Sequence, residues 1–179
     1  MNNFMVFTGG PGSGKTSVIH ELINLGFQCA SEVGRKIIQL QVTQHGTALP
    51  WEDKVAFRDE MVKAEMLTFD YYQGSKSLVF FDRGIVDSYG YSRLEELVIP
   101  EQLVMDCKTL RYNPQVFIFP PWEEIFINDA ERKQQFKQAI ATYDKMVSAY
   151  QKFGYTLVEV PKTSVAERLK FILTMIEQN

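Results

Sequence analysis

Residues Gly9-Gly10-Pro11-Gly12-Ser13-Gly14-Lys15-Thr16 fit the pattern G-x-x-x-x-G-K-[ST], the signature of a loop that wraps phosphate. Closely spaced glycines let the backbone curl until successive N–H groups converge on an anion. Lys15 supplies a point charge for the β/γ-phosphates, and the Thr16 hydroxyl suits Mg²⁺. The helix opening here adds its positive end. Both flanks agree with this reading. Asn3 to Thr8 is an apolar run suited to a buried strand, and Val18, Ile19, Leu22, Ile23 and Leu25 recur at helical spacing. Gly10, Pro11, Gly12, Ser13, Gly14, Lys15, Thr16 and Ser17 are therefore the expected triphosphate-binding residues, with ATP and Mg²⁺ as the expected ligands.

With 179 residues and 45% hydrophobic content, the chain is expected to form one domain over residues 1–179 with a substantial core. A formal charge of -3, from 19 basic and 22 acidic residues, gives no bulk attraction to nucleic acid. No apolar run approaches the roughly 18 residues that span a bilayer. The N-terminal apolar run leads straight into the glycine loop, so it reads as a core strand rather than a signal peptide. Cys29 and Cys107 have no metal-type spacing and read as buried free thiols, which fits a reducing cytoplasm.

Beyond the first helix, strands and helices alternate. Phe27 to Ser31 reads as a second strand, with Ser31 as the N-cap of a helix running to about His45. Pro50 is expected to open a longer helix up to Gly74. Leu78-Val79-Phe80-Phe81 reads as a buried strand that carries Asp82 to its end. Helical stretches follow from Asp87 to about Leu97 and from Pro100 to Leu110. Gln115 to Phe119 is a fourth strand, and a charged helix runs from about Asp129 to Lys152. Tyr155 to Val160 is a fifth strand, and Ser164 caps a last helix. This order predicts an α/β fold, a five-stranded parallel sheet with helices on both faces and ligands at the carboxyl ends of the strands.

The end of the third strand bears on the reaction. Asp82 is followed by Arg83 and Gly84, so no adjacent acid is present to activate water, as it would be in a hydrolase. Asp82 suits Mg²⁺, and the Arg83 guanidinium suits phosphate or substrate. Glu32, after the second strand, is placed to take a proton from an acceptor hydroxyl, with Arg35 one turn on. Asp87, in the helix after the third strand, is a further candidate for acceptor contact. Residues 121–136 sit where a lid would close. A cation there would stabilise the charge that develops on the γ-phosphoryl oxygens, and Arg132 is the first choice, ahead of Lys133. Pro161-Lys162-Thr163 is the candidate adenine-side loop. Trp51, Phe57, Tyr89 and Tyr91 are candidate pocket aromatics, whereas His20 and His45 read as helix-surface residues.

Five stretches together resemble a known family: the glycine loop, Ser31-Glu32-Val33-Gly34-Arg35, Phe80-Phe81-Asp82-Arg83-Gly84, Pro120-Pro121-Trp122-Glu123-Glu124 with Asp129-Ala130-Glu131-Arg132-Lys133, and Val158 to Arg168. They are similar to the AAA-type predicted ATPases, a family that includes the ribosylnicotinamide kinase domain of the bifunctional NAD-biosynthesis regulator. The resemblance implies a nucleoside-kinase-like P-loop fold, with Glu32 or Asp82 as the acceptor-side carboxylate and Arg132 in the lid. The expected activity is Mg²⁺- and ATP-dependent phosphoryl transfer to a hydroxyl of a small, nucleoside-like metabolite. The rival readings are a nucleotide-dependent switch, or an ATPase or GTPase with a protein or lipid partner. Against guanine specificity, Phe119-Pro120-Pro121-Trp122 stands where an [NT]-K-x-D motif would follow the fourth strand.

Overall fold

A computed structural model describes residues 3–125 and 130–178, with 130–135 by backbone alone. Its strands are β1 (Phe4–Gly9), β2 (Gln28–Ala30), β3 (Val79–Asp82), β4 (Gln115–Phe119) and β5 (Thr156–Glu159). They form one parallel sheet in the order β2-β3-β1-β4-β5. The helices are α1 (Lys15–Asn24), α2 (Val33–Gln44), α3 (Lys54–Tyr72), α4 (Ile85–Leu94), α5 (Glu101–Thr109), α6 (Ala130–Lys152) and α7 (Val165–Glu177).

The period-two geometry of β1 divides the core. Phe4 and Val6 join Val79, Phe81 and Val116 on the face covered by α3, α4, α5 and the end of α6. Met5 and Phe7 join Phe80, Phe117 and Phe119 on the face covered by α1 and α7. Both faces of the central strands are thus dry, which is why they read as unbroken apolar runs. Phe7 is ringed by Phe80, Phe117 and Phe119 at centroid separations of 5.2–5.8 Å.

Two helix starts differ from the sequence reading. Helix α2 is capped by Glu32 rather than Ser31, and the Glu32 side chain makes no capping hydrogen bond, which frees it for the cleft. Helix α3 begins at Lys54 rather than Pro50, because the Asp53 carboxylate accepts from Ala56 N at 2.9 Å and a turn occupies the residues before it. Ser164 does cap α7, in a reciprocal box with Glu167.

Helix α4 is buried on almost every side. It closes on α6 at Gly90, where a β-carbon would stand 2.6 Å from Met146 Sδ. Its polar residues Asp87, Ser88 and Ser92 are buried with it and are all hydrogen-bonded. This internal helix joins the end of β3 to the site.

Candidate active site

The loop after β1 is held tightly from behind. Gly9 has φ +133°, and a β-carbon there would lie 2.4 Å from Phe119 O, so β4 leaves room only for glycine. Gly14 caps α1 in a left-handed conformation (φ +83°). The space its side chain would need is filled by Arg168 Nη1, 2.5 Å from that position. From α7, Arg168 donates to Ser13 O and Gly14 O at 3.4 Å each, while the Trp122 ring lies 5.5 Å away on its π-face.

Lys15 is buried and folds back on the loop, donating to Gly10 O at 3.0 Å, Ser13 Oγ at 3.3 Å and Gly9 O at 3.4 Å. Burial, followed by repulsion from Arg83, lowers its pKa to about 8. An ammonium this poorly compensated is poised to receive a polyanion.

Strand β3 runs beside β1, and Arg83 N donates to Phe7 O at 2.9 Å, so Asp82 and Arg83 emerge next to the loop. Arg83 has φ +76°, a left-handed conformation that costs a non-glycine residue on the order of 1 kcal/mol. Three acceptors hold it there. Its Nε donates to Glu32 Oε1 at 3.0 Å, and its Nη1 donates to Gly9 O at 3.1 Å and Asp87 Oδ1 at 3.2 Å. Among the described residues Nη2 has no hydrogen-bond partner, so its donors can serve phosphate oxygens. Surrounding carboxylates outweigh the effect of burial and push the Arg83 pKa up. Burial alone would raise the Glu32 pKa, but the Arg83 charge and hydrogen bond hold it below its usual value. Arg35 plays a smaller part, largely exposed and 3.9 Å from Glu32 Oε2.

Asp87, the candidate for acceptor contact, lines the cavity beside the loop, and both of its oxygens hold protein donors. Oδ1 accepts from Thr8 Oγ1 at 2.6 Å and from Arg83, and Oδ2 accepts from Tyr150 OH at 2.6 Å and Gly84 N at 3.1 Å. It is a hub that orients Arg83.

Whether the site suits Mg²⁺ is answered by Asp82. Its Oδ1 is buried without a hydrogen-bond partner among the described residues, and burial raises its pKa. An orphaned carboxylate oxygen is costly, by about 1–3 kcal/mol, unless a cation or water reaches it. Asp82 is also a hard oxygen donor of the kind Mg²⁺ takes, as is the exposed Thr16 hydroxyl at the start of α1.

Beside the loop lies a cavity of about 550 Å³, within the range of small-molecule sites. Glu32, Arg35, Arg83 and Pro11 line one side, and Phe57, Met61, Tyr91 and Met146 make apolar walls. Of the four candidate aromatics, Phe57 and Tyr91 line it. Trp51 is exposed, and Tyr89 packs on Phe153 at 5.0 Å within the core.

The profile of an AAA domain family matches residues 4–168. The chain belongs to this AAA domain family. A search of curated protein sequences gave no match. Among solved structures, thymidylate kinase from Candida albicans superposes with a TM-score of 0.65 at 15% identity, covering 98% of this chain and 91% of that one. Deoxyadenosine kinase from M. mycoides gives 0.61 at 10%, covering 98% and 100%. Shikimate kinase from Acinetobacter baumannii gives 0.55 at 16%, covering 98% and 93%. The fold is therefore that of the P-loop nucleoside kinases.

Within this AAA domain the remaining sequence candidates sit on the loop, on α1 and at the end of β5. Lys162 is exposed in the turn between β5 and α7. Thr16 and Ser17 are exposed at the start of α1, and Pro11 and Gly12 form the loop's outer edge. The side chains of Arg132 and Lys133 lie outside the described residues, as do residues 126–129 of the expected lid. Cys29 and Cys107 are free thiols, with Cys29 raised to about 11 by burial. Two site residues gave no sequence signal as ligands. Glu65 looks like one more acidic residue on an amphipathic helix, yet it is buried at the cavity. Arg168 was detectable only as a lone cation on the apolar face of α7.

Proposed function

We propose that the chain transfers the γ-phosphoryl group of ATP, with Mg²⁺, to a hydroxyl of a small, nucleoside-like metabolite. The observation that carries this reading is the Arg83–Glu32 bridge, which sets an ionised carboxylate at the edge of the cavity next to the phosphate loop. Phosphoryl transfer asks the protein mainly to position its reactants and stabilise charge.

In this reading the loop amides and Lys15 bind the triphosphate. Glu32 accepts a hydrogen bond from the acceptor hydroxyl, aims its oxygen at phosphorus and takes the proton as the bond forms. Arg83 keeps Glu32 in place through Nε, and its Nη2 donors would serve the transferring group. Thr16 and Asp82 would hold Mg²⁺, which when bound supplies positive charge to the β- and γ-phosphate oxygens. Arg132 is the proposed lid cation and Lys162 the proposed adenine-side residue. Trp122 and Arg168 close the same end of the loop.

The test is ADP formation from Mg²⁺-ATP in the presence of nucleosides, sugars and vitamins. At least one acceptor should accelerate it and emerge phosphorylated. ADP release that no acceptor accelerates would overturn the proposal.

A further inference from the structure

We infer that the cavity beside the phosphate loop takes a nucleoside carrying no anionic group, and that Glu65 reads its base by hydrogen bonding. This rests on the phosphoryl-transfer reading above and narrows the acceptor.

The first support is charge pairing. Among the described residues, each cation that lines the cavity already has an anionic neighbour. Arg83 serves Glu32 and Asp87, Lys54 lies 2.5 Å from Glu95 Oε2, and the exposed Arg35 sits 3.9 Å from Glu32. Apart from Arg83 Nη2, which the transferring phosphoryl group takes in the reading above, an acceptor bearing its own phosphate or carboxylate would meet only cations that are already paired.

The second support is unmet hydrogen bonding. Glu65 is 4% exposed, and its carboxyl has a single partner among the described residues, Ser88 Oγ, which donates to Oε2 at 2.8 Å. Oε1 has no partner among the described residues. A carboxyl oxygen unpaired at the wall of a largely apolar cavity is a group that a polar ring can satisfy.

The third support is the protonation state. Burial pushes the Glu65 carboxyl well above its usual range; Asp87 adds to this, and the Ser88 hydrogen bond and Arg83 oppose it. Tyr112, before β4, and Cys107, on α5, face it as neutral neighbours whose own pKa values are pushed up by burial. A protonated carboxyl offers a donor beside an acceptor. The N–H/C=O and N/NH₂ edges of nucleobases, and the amide of a nicotinamide ring, offer the complement.

The experiment uses the full chain with Mg²⁺-ATP and a defined panel. Uridine, cytidine, adenosine, inosine and nicotinamide riboside stand against the corresponding 5′-monophosphates and shikimate. At least one nucleoside should be turned over, with the anionic compounds inactive. Glu65→Ala should raise KM for that nucleoside about tenfold or more with kcat within a few fold, because an unread base loses binding rather than chemistry. Glu65→Gln, which keeps one donor and one acceptor, should restore KM. At saturating ATP, the wild-type KM should rise as Glu65 ionises in alkali, and the Gln variant should stay flat.

Preference for a monophosphate or shikimate, or an unchanged KM in Glu65→Ala, would overturn the inference and leave phosphoryl transfer standing. If Glu65→Ala fails to fold, the Gln profile decides: a pH dependence identical to wild type overturns it. Calorimetry with a non-hydrolysable ATP analogue separates the two readings. Glu65-dependent nucleoside binding without product would uphold this inference and sink the kinase reading, whereas no nucleoside binding at all would sink this inference.

Discussion

Arg83 Nε donates to Glu32 Oε1 at 3.0 Å, tying the end of β3 to the end of β2 across 51 residues of chain. The same guanidinium holds Gly9 O, the last carbonyl of β1. One side chain thus gathers three adjacent strand ends, and its left-handed backbone is tolerated because those contacts fix it.

Glu32 should stay ionised well into acid. Its folded pKa lies below the usual 4.5, so the stability it contributes is present above that value and is lost as pH falls through the folded value. The transfer rate should show no acid limb from this group between pH 7 and about 5. Glu32→Gln should lower kcat roughly 10²–10⁴-fold with ATP affinity unchanged. A limb near pH 6–7 that disappears in the variant would contradict the assignment.

Arg83→Lys should show that geometry matters beyond charge. An ammonium cannot bridge Glu32, Gly9 and Asp87 together, so transfer should fall about 10²-fold while the fold survives. Arg83→Ala also takes a donor from two carboxylates, and should cost about 1–3 kcal/mol, read as a lower melting temperature. Equal activity in wild type and Arg83→Lys would remove the bridge from the mechanism.

Much of this was legible in the chain because it follows local rules. Glycine spacing marks the loop, and unbroken apolar runs mark β1, β3 and β4, because both faces of those strands are covered. What escaped depends on contacts distant in sequence. That Asp87 is an internal hub requires Thr8 and Tyr150, which are 79 and 63 residues away. That Glu65 faces a cavity rather than water depends on how α3 meets α4, and hydrophobic periodicity along α3 does not encode that. The starts of α2 and α3 were misplaced because several residues there can act as caps, and tertiary packing selects among them.

Nucleotide binding should take up a proton above pH 8. In the free protein the Lys15 pKa is about 8 against 10.5 for an ordinary lysine, so its burial costs about 3 kcal/mol below pH 8. That penalty fades as pH rises from about 8 to 10.5. A bound triphosphate raises the pKa again, so uptake should grow between pH 7 and 9 towards about one proton. Calorimetry at pH 8.5 in buffers of different ionisation enthalpy measures it, and identical heats would refute the coupling. Lys15→Ala should lose triphosphate binding altogether.

Asp82→Asn should trade function for stability. Burial raises the folded pKa of Asp82, so any favourable contribution is present only below the unfolded value of about 3.8 and is lost as pH rises through the folded one. At neutral pH the ionised, unpartnered Oδ1 is therefore a liability in the free protein, which the neutral amide relieves. The variant should melt a few degrees higher than wild type without ligand at pH 7, with the gap closing towards pH 4. If Asp82 holds Mg²⁺, the variant should also need far more Mg²⁺ for turnover, and the stabilisation that Mg²⁺-ATP gives wild type should shrink by an order of magnitude in apparent affinity. Chelating Mg²⁺ should abolish transfer in both proteins. A variant that melts lower, or keeps the wild-type Mg²⁺ requirement, would mean that water or a protein group outside the described residues serves this carboxylate instead.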